Sequence, residues 1–185
     1  MAYAGQTLEN PVTGERITFR RTSADTRGEL VEIDLELAPD GAVPGTHVHP
    51  KQEERFEVMA GTMKFRLGLK KIVAGPGEVV VVPAGAVHNF ANAGDDPALV
   101  RVTMTPALKM EELFETSVAL AKAGRVNRRG MPKPLDLALF VERFSDEARA
   151  PFPPAAAVRV LFAPLRAIAR RRGRTLGVRP VVAPA

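Results

Sequence analysis

In the segment of residues 30–37, apolar and polar residues alternate strictly from Val31 onward. Every second position is Val, Ile or Leu, and the positions between them are acidic. A period of two is typical of a strand with one face buried and the other in water. We therefore expect the acidic face to be a solvated sheet surface, with a partner-binding surface as the alternative. Its members are Glu32, Asp34 and Glu36.

Shorter apolar segments continue along the chain, and clusters of Gly and Pro separate them. Many short strands with turn signals every eight to twelve residues or so are typical of an antiparallel sandwich or barrel. The sequence therefore predicts an all-β core. Its further predicted strands cover residues 17–20, 55–59, 63–67, 70–73, 79–82, 87–91 and 99–105.

The hydrophobic period changes to that of an α-helix after Pro106. Residues 108–123 carry an apolar face with acidic residues early, Lys122 near the end and Gly124 just beyond, which are helix-start and helix-stop signals. Two more helices are expected, over residues 134–146 and over residues 155–172, the second with an interruption at Pro164.

These patterns predict two units. Residues 1–106 are expected to form the β domain, and residues 107–185 a helical C-terminal extension whose last part, residues 174–185, is a frayed tail. No internal repeat is present in the sequence, so a single β unit is expected.

Composition excludes several chemistries. The chain has no cysteine, which excludes disulfides, zinc–thiolate sites and cysteine nucleophiles. No apolar run is long enough for a transmembrane helix, and no signal peptide is recognisable at the N-terminus. We therefore expect a cytoplasmic location.

Positive charge is concentrated at the C-terminal end. Residues 1–147 hold 18 Lys and Arg and all 21 acidic residues, whereas residues 148–185 hold eight arginines and no acid. The net charge of +5 therefore arises from the extension, and the β domain is mildly acidic.

The basic segment is also amphipathic, because apolar residues recur at helical spacing and arginines occupy another face. A helix packed on the β domain or on a partner subunit, with solvated arginines, is the favoured interpretation. Contact with an anionic membrane is the second, and we expect no nucleic-acid binding because no aromatic interleaving or DNA-binding motif is present. The apolar positions are Val158, Leu161, Phe162, Leu165, Ile168 and Ala169, and the arginines are Arg159, Arg166 and Arg170.

All three histidines of the chain lie in residues 41–92. His47 and His49 are two residues apart, so on an extended segment both imidazoles point to the same side. Glu54 follows beyond a bend, and His88 comes after a turn of sequence Pro-Ala-Gly. Spaced glycines frame the two motifs, which contain Gly41, His47, His49, Glu54 and Gly61, and then Gly77, Pro83, Gly85, His88 and Asn92.

Three imidazoles and one carboxylate form a nitrogen-rich ligand set. Such a set suits a divalent Fe, Mn, Ni, Co, Cu or Zn ion and does not suit Ca²⁺. Four protein ligands on a six-coordinate ion leave about two positions for water, oxygen or substrate, whereas a tetrahedral zinc would be fully ligated. Glu53 is the alternative to Glu54, but strand alternation turns it to the other face.

The two motifs resemble those of the cupin superfamily, with every marked position filled. The resemblance covers residues 28–106, and its short inter-motif loop is similar to that of compact bacterial single-barrel members. It implies a small jelly-roll β-barrel with a metal ion in its mouth. By this resemblance the metal ligands are His47, His49, Glu54 and His88, and nothing in it extends to the helices.

The residues around the predicted site allow two interpretations. Phe56 shares the face of Glu54, Phe90 shares the face of His88, and Met104 joins them if its strand keeps register. These three are candidates for a substrate pocket, although small barrels usually fill their interiors with such side chains. Beyond the metal ligands no general base can be named.

The expected function is a metal-dependent enzyme that acts on a small organic molecule, with dioxygenase chemistry favoured. Metal-dependent isomerase or lyase chemistry is the enzymatic alternative. A non-catalytic module that binds or senses a small ligand or metal is the alternative from another class. We expect a homodimer, with peripheral membrane contact through the basic tail as a minor expectation.

Overall fold

Nine strands and then four helices form the part of the chain that the computed structural model describes, residues 2–43 and 45–177. The predicted strands are confirmed to within two residues at each end. The three-residue β1 was missed because it is too short to show alternation. The strands are β1 (Thr7–Glu9), β2 (Arg16–Arg21), β3 (Val31–Leu37), β4 (Glu53–Ala60), β5 (Met63–Leu67), β6 (Lys70–Ala74), β7 (Val79–Val82), β8 (His88–Asn92) and β9 (Ala98–Thr105).

The strands form two antiparallel sheets. One has six strands in the order β1-β2-β3-β9-β4-β7, and the other has three in the order β6-β5-β8. The sheets pack face to face, since the ring of Phe56 on β4 lies 5.2 Å from that of Phe65 on β5 and 4.8 Å from that of Phe90 on β8. The all-β jelly-roll core is thereby confirmed.

Among the described residues, the two sheets are not joined into a closed barrel by continuous hydrogen bonding. Residues 38–43 and 45–52, between β3 and β4, form no regular strand and make only isolated bridges, one of them between His47 and His88. This irregular connection lies at one end of the sandwich, and it carries the first two histidines.

Asp34 corrects the expectation of a solvated acidic face on β3. Asp34 is only 4% exposed, because Arg20 on β2 and Arg101 on β9 lie over it from the two neighbouring strands. The Nε–H of Arg20 and the Nε–H of Arg101 donate to its carboxylate at 2.6 Å and 2.9 Å. Arg101 is therefore an ion-pair partner of Asp34.

The extension is helical, as predicted, with α1 (Met110–Lys122), α2 (Pro134–Arg143), α3 (Ala155–Leu161) and α4 (Ala163–Arg171). Helix α2 ends at Arg143, three residues earlier than expected. The next residue, Phe144, is fully buried and caps the helix. The third predicted helix is interrupted at Phe162, and Pro164 occupies the first turn of the helix that follows. None of the described helices is long and apolar enough to cross a membrane.

The helices pack on the strands and on one another. Met110, Leu113 and Phe144 belong to the same buried cluster as the strand residues. The aromatic ring of Phe114 on α1 lies 6.4 Å from that of Phe19 on β2. The division at residue 106 stays a prediction, because the two predicted units share this core.

Part of the predicted frayed tail is ordered. Arg174 donates to the buried carboxylate of Asp136 on α2 at 2.8 Å. Arg125 contacts the same carboxylate and also donates to the backbone oxygen of Thr175 at 3.0 Å. The sequence could not predict these contacts, because only the folded chain brings Arg125 and Arg174 next to Asp136. Residues 178–185 of the predicted tail lie outside the described residues.

Candidate metal centre

Three segments bring the candidate ligands together. His47 and His49 lie on the irregular connection before β4, Glu54 is the second residue of β4, and His88 is the first residue of β8. The backbones of His47 and His88 exchange two hydrogen bonds, of 2.9 Å and 3.0 Å. The N–H of Gly85 donates to the backbone oxygen of His49 at 2.8 Å, so both motifs are held to each other through the backbone.

The side chains of these residues converge on one point. One ligand atom from each of the four lies within 4.8 Å of the others. The Oε2 atom of Glu54 is 2.9 Å from Nε2 of His88 and 3.3 Å from Nε2 of His49. His49, Glu54 and His88 are buried, whereas His47 is partly exposed.

Each imidazole is oriented by a backbone carbonyl at its Nδ1 atom. The acceptors are the oxygens of Gly45 for His47 at 3.2 Å, of Glu147 for His49 at 2.5 Å, and of Ala86 for His88 at 3.1 Å. Because a carbonyl can only accept, we assign the proton of each neutral ring to Nδ1. The lone pair of each ring then lies on Nε2, the atom that faces the centre.

The atoms that face the centre fit a cation. Nε2 of His49, Nε2 of His88 and Oε2 of Glu54 are buried, and none of them has a hydrogen-bond partner within the part of the chain that the structure describes. Buried acceptors without a donor are costly and therefore rare. A divalent ion between them would satisfy all three, and their nitrogen and oxygen chemistry suits a first-row transition metal.

Burial and mutual contact set the charges of this cluster. Burial, together with the neighbouring His88 and His49, lowers the pKa of His47 to about 4, so this ring is neutral at neutral pH. Burial alone would raise the pKa of Glu54, but the contacts with the histidines outweigh it and keep the pKa below its ordinary value. Burial would lower the pKa of His88, but contact with Glu54 raises it. A metal ion binds the neutral imidazoles and the ionised carboxylate, so its affinity should fall as the pH is lowered.

The choice between the two adjacent glutamates agrees with the strand geometry. Glu54 points inward with Phe56 on the buried face of β4, and Glu53 is exposed. Asn92, the last marked position of the second motif, is buried and donates through its amide to the backbone oxygens of Leu37, Ala38 and Asp96.

A cavity of about 950 Å³ lies beside the candidate ligands. His47, His49 and Glu54 stand in its wall, and so do the three pocket candidates of the sequence, Phe56, Phe90 and Met104. The apolar face of β3 contributes Ile33 and Leu35. The sandwich is therefore not filled by its own side chains at this end.

The helices supply a large part of the cavity wall. Sequence periodicity showed that they have an apolar face, but it gave no information on what that face covers. The helical residues in the wall include Met110, Leu113, Phe114, Val118, Leu137, Phe140 and Val141.

Glu15 is an acidic residue in the wall that the sequence did not single out. It accepts hydrogen bonds from Thr13 Oγ1 at 2.7 Å and from Asn10 Nδ2 at 3.4 Å. Burial raises its pKa above the ordinary value and outweighs these two hydrogen bonds. No motif marks it, because only the folded chain brings the β1–β2 turn to the cavity.

Comparisons with known proteins agree with this architecture. The family described as "Cupin domain" matches residues 34–104. Germin-like protein 1 of Brassica napus is 37% identical over 78 residues, which are 40% of this chain. The chain spans only 37% of the length of that relative.

Two solved structures share the fold. KdgF from Halomonas sp. has a TM-score of 0.50 at 16% identity, over 57% of this chain and 93% of that one. An RmlC-like cupin from Shewanella frigidimarina also has a TM-score of 0.50 at 16% identity, over 60% of this chain and 94% of that one. At this identity the likeness concerns the fold alone, and the matched family region ends before the helices begin.

Proposed function

We propose that this chain, in which residues 34–104 form a cupin domain, is a metal-dependent enzyme that oxidises a small, largely apolar organic molecule. The proposed co-substrate is dioxygen. The proposed metal ligands are His47, His49, Glu54 and His88.

One observation carries this proposal: Nε2 of His49 and Oε2 of Glu54, buried and without a hydrogen-bond partner among the described residues, belong to residues that line a mostly apolar cavity. Small-molecule sites are typically cavities of about 300–1,000 Å³ with mainly apolar walls and few polar groups. A bound ion of the Fe, Mn, Co, Ni or Cu type supplies redox chemistry toward dioxygen and keeps coordination positions free.

The residues of the chain define what the substrate must be. Phe56, Phe90 and Met104 line the wall beside the ligands and would hold an aromatic or aliphatic group against the centre. The helical part of the wall would shield that group from water, which would strengthen polar interactions inside the cavity. His47, as the partly exposed member of the cluster, faces the side from which a ligand would approach.

Metal-dependent isomerisation or elimination is the second candidate function. Such reactions need a side chain that takes up and returns a proton, and Glu15 is a suitable group. It stands in the cavity wall, and its raised pKa brings the protonated form closer to neutral pH.

Metal content and oxygen consumption test the proposal. The protein would be purified anaerobically without added metal, its ion quantified, and oxygen uptake followed with phenolic and thiol compounds. We expect a redox-active ion and substrate-dependent uptake. Bound zinc without oxygen uptake would exclude the proposed oxidation by dioxygen. Saturable ligand binding without turnover would favour a sensing or storage module.

Two adjacent variants make a matched pair for the ligand assignment. Glu54→Gln removes the inward carboxylate, and we expect metal affinity to fall about 100-fold or more. Glu53→Gln removes the same charge from the exposed face of the same strand and should leave metal content unchanged. Equal metal content in both variants would contradict the assignment of Glu54.

A further inference from the structure

Helices α3 and α4 form a nearly continuous segment with two different faces. The N–H of Arg166 donates to the backbone oxygen of Phe162 at 3.0 Å across the break between them. Val158 and Phe162 face the cavity, and Ala169 is fully buried. The helical spacing of these residues defines the inner face of the segment.

The outer face of the segment is apolar although it is exposed. Val160 is 76% exposed, Leu161 is 66% exposed and Ile168 is 41% exposed. Phe152, just before α3, is 80% exposed. Amphipathic helices on a protein surface normally turn such residues inward, and contiguous exposed apolar surface of this kind marks an interaction site. We call this surface, formed by Ala157, Val160, Leu161, Pro164, Ala167 and Ile168, the outer face.

Positive charge borders the outer face at its C-terminal end. Arg171 continues the spacing of the outer face and Arg172 lies beside it, and both are exposed. Within the described residues neither forms an ion pair, whereas Arg166 and Arg170 contact Glu142 and Arg174 contacts Asp136. Residues 148–177 contain no acidic residue, so the segment does not neutralise this charge itself.

We propose that the outer face binds an anionic membrane surface, with α3 and α4 lying in the plane of the lipid headgroups. Apolar side chains on one face and arginines beside them are the features of helices that lie at this interface. The helices have seven and nine residues. Each is too short to cross a bilayer, which agrees with a position along the membrane surface.

Charge complementarity selects this occupant over two others. A second copy of this segment offers no acidic residue to Arg171 and Arg172, whereas anionic lipids offer a continuous negative surface. Nucleic acid offers phosphates as well, but it provides no apolar surface for Val160, Leu161 and Ile168.

Vesicle flotation with the full chain tests the proposal. The two probes are vesicles of phosphatidylcholine alone and vesicles that also contain phosphatidylglycerol. We expect the protein to float with the anionic vesicles, to bind the neutral ones much more weakly, and to lose binding as salt is added. No binding to the anionic vesicles at low salt would overturn the proposal.

Two pairs of variants separate the apolar from the electrostatic contribution. Leu161→Asp with Ile168→Asp should lower binding at least about tenfold. Its control is Leu69→Asp on the β5–β6 turn. This leucine is 93% exposed and is not part of the outer face, so its replacement should leave vesicle binding unchanged.

Arg171→Ala with Arg172→Ala should lower vesicle binding on the order of 10- to 30-fold. Its control, Lys70→Ala with Lys71→Ala, removes the same charge from the β domain and should lower binding much less.

The folded state and the oligomeric state are measured in the same samples. The substituted side chains are exposed, so metal content and circular dichroism should be unchanged. Equal binding of all variants would overturn the proposal. It would also be overturned if the Leu161→Asp, Ile168→Asp protein changed from dimer to monomer in light scattering while none of the proteins bound vesicles, because the outer face would then be a contact between copies.

Discussion

At Asp34 a single acidic side chain on a sheet surface is buried by its neighbours. Arg20 and Arg101 lie over it from the two adjacent strands. Burial alone would raise the pKa of this carboxyl group, but the two guanidinium groups outweigh that effect and hold the pKa below its ordinary value of 3.8. The folded state therefore stabilises the ionised form of Asp34.

Replacing this carboxylate should reduce stability in a pH-dependent way. We expect Asp34→Asn to lower the free energy of unfolding by about 2 kcal/mol at neutral pH, the range for a hydrogen bond to a charged group. Because the pKa of the folded state lies below that of the unfolded state, the contribution is present above about pH 4 and disappears as the pH falls through the folded pKa.

Urea unfolding of both proteins at neutral pH and at about pH 3 would measure this difference. An equal loss of stability at both pH values would show that the ionisation of Asp34 is not responsible. Asp25→Asn is a suitable control, because that carboxylate also has a lowered pKa but sits in an exposed turn with Thr22 as its local partner.

At the scale of elements, the segment that follows α2 is joined to the first histidine motif. The N–H of Val48 donates to the backbone oxygen of Arg149 at 2.9 Å, and the N–H of Arg149 donates to that of Val48 at 3.0 Å. Two residues earlier, the backbone oxygen of Glu147 accepts the Nδ1–H of His49. The helical extension therefore orients a candidate metal ligand through its backbone.

Two substitutions at one position test this backbone connection. Arg149→Pro removes the N–H that reaches Val48, and we expect metal affinity to fall about 10- to 100-fold, as for the loss of a group that orients a ligand. Arg149→Ala keeps the N–H and should retain wild-type affinity. Competition with a chelator measures both, and an equal loss in the two variants would assign the effect to the Arg149 side chain.

The sequence could predict the strands and the inward ligands because both depend on local periodicity. Alternation along β4 separates Glu54 from Glu53, and the same rule gave the limits of β5, whereas β7 was predicted as a short run of valines between turn signals. It could not predict the carbonyl of Glu147 as a partner of His49, because a backbone atom 98 residues away has no signature in the sequence. The burial of Asp34 and the position of Glu15 likewise depend on which elements become neighbours in space.

At the scale of the whole molecule, one face of β9 runs from solid core into the cavity. Val100 and Val102 are both buried and point to the same side of the strand. Val100, Val102 and Met104 all belong to the hydrophobic cluster, but Val102 and Met104 also line the cavity and Val100 does not. Two valines on the same face of β9 therefore have different environments.

Enlarging each valine should separate these environments. We expect Val102→Phe to be tolerated within about 1 kcal/mol, because its ring enters the cavity, and to weaken binding of an apolar fluorescent dye at least tenfold or so. Val100→Phe should cost about 1–3 kcal/mol, because no space is available for it.

Thermal unfolding and dye titration of the two variants would provide the comparison. Equal destabilisation by both substitutions would mean that the space beside Val102 is not available to a side chain. Unchanged dye binding in the Val102→Phe protein would place the dye elsewhere on the molecule.

The sparse packing of α3 and α4 has a consequence for kinetics. Of their residues only Ala169 is fully buried, and elements with so few buried contacts open at a low free-energy cost. Since Val158 and Phe162 of this segment stand in the cavity wall, each opening would connect the interior with the outside. Molecules of different affinity would then enter at similar rates, set by how often the helices open, and would differ in their residence times.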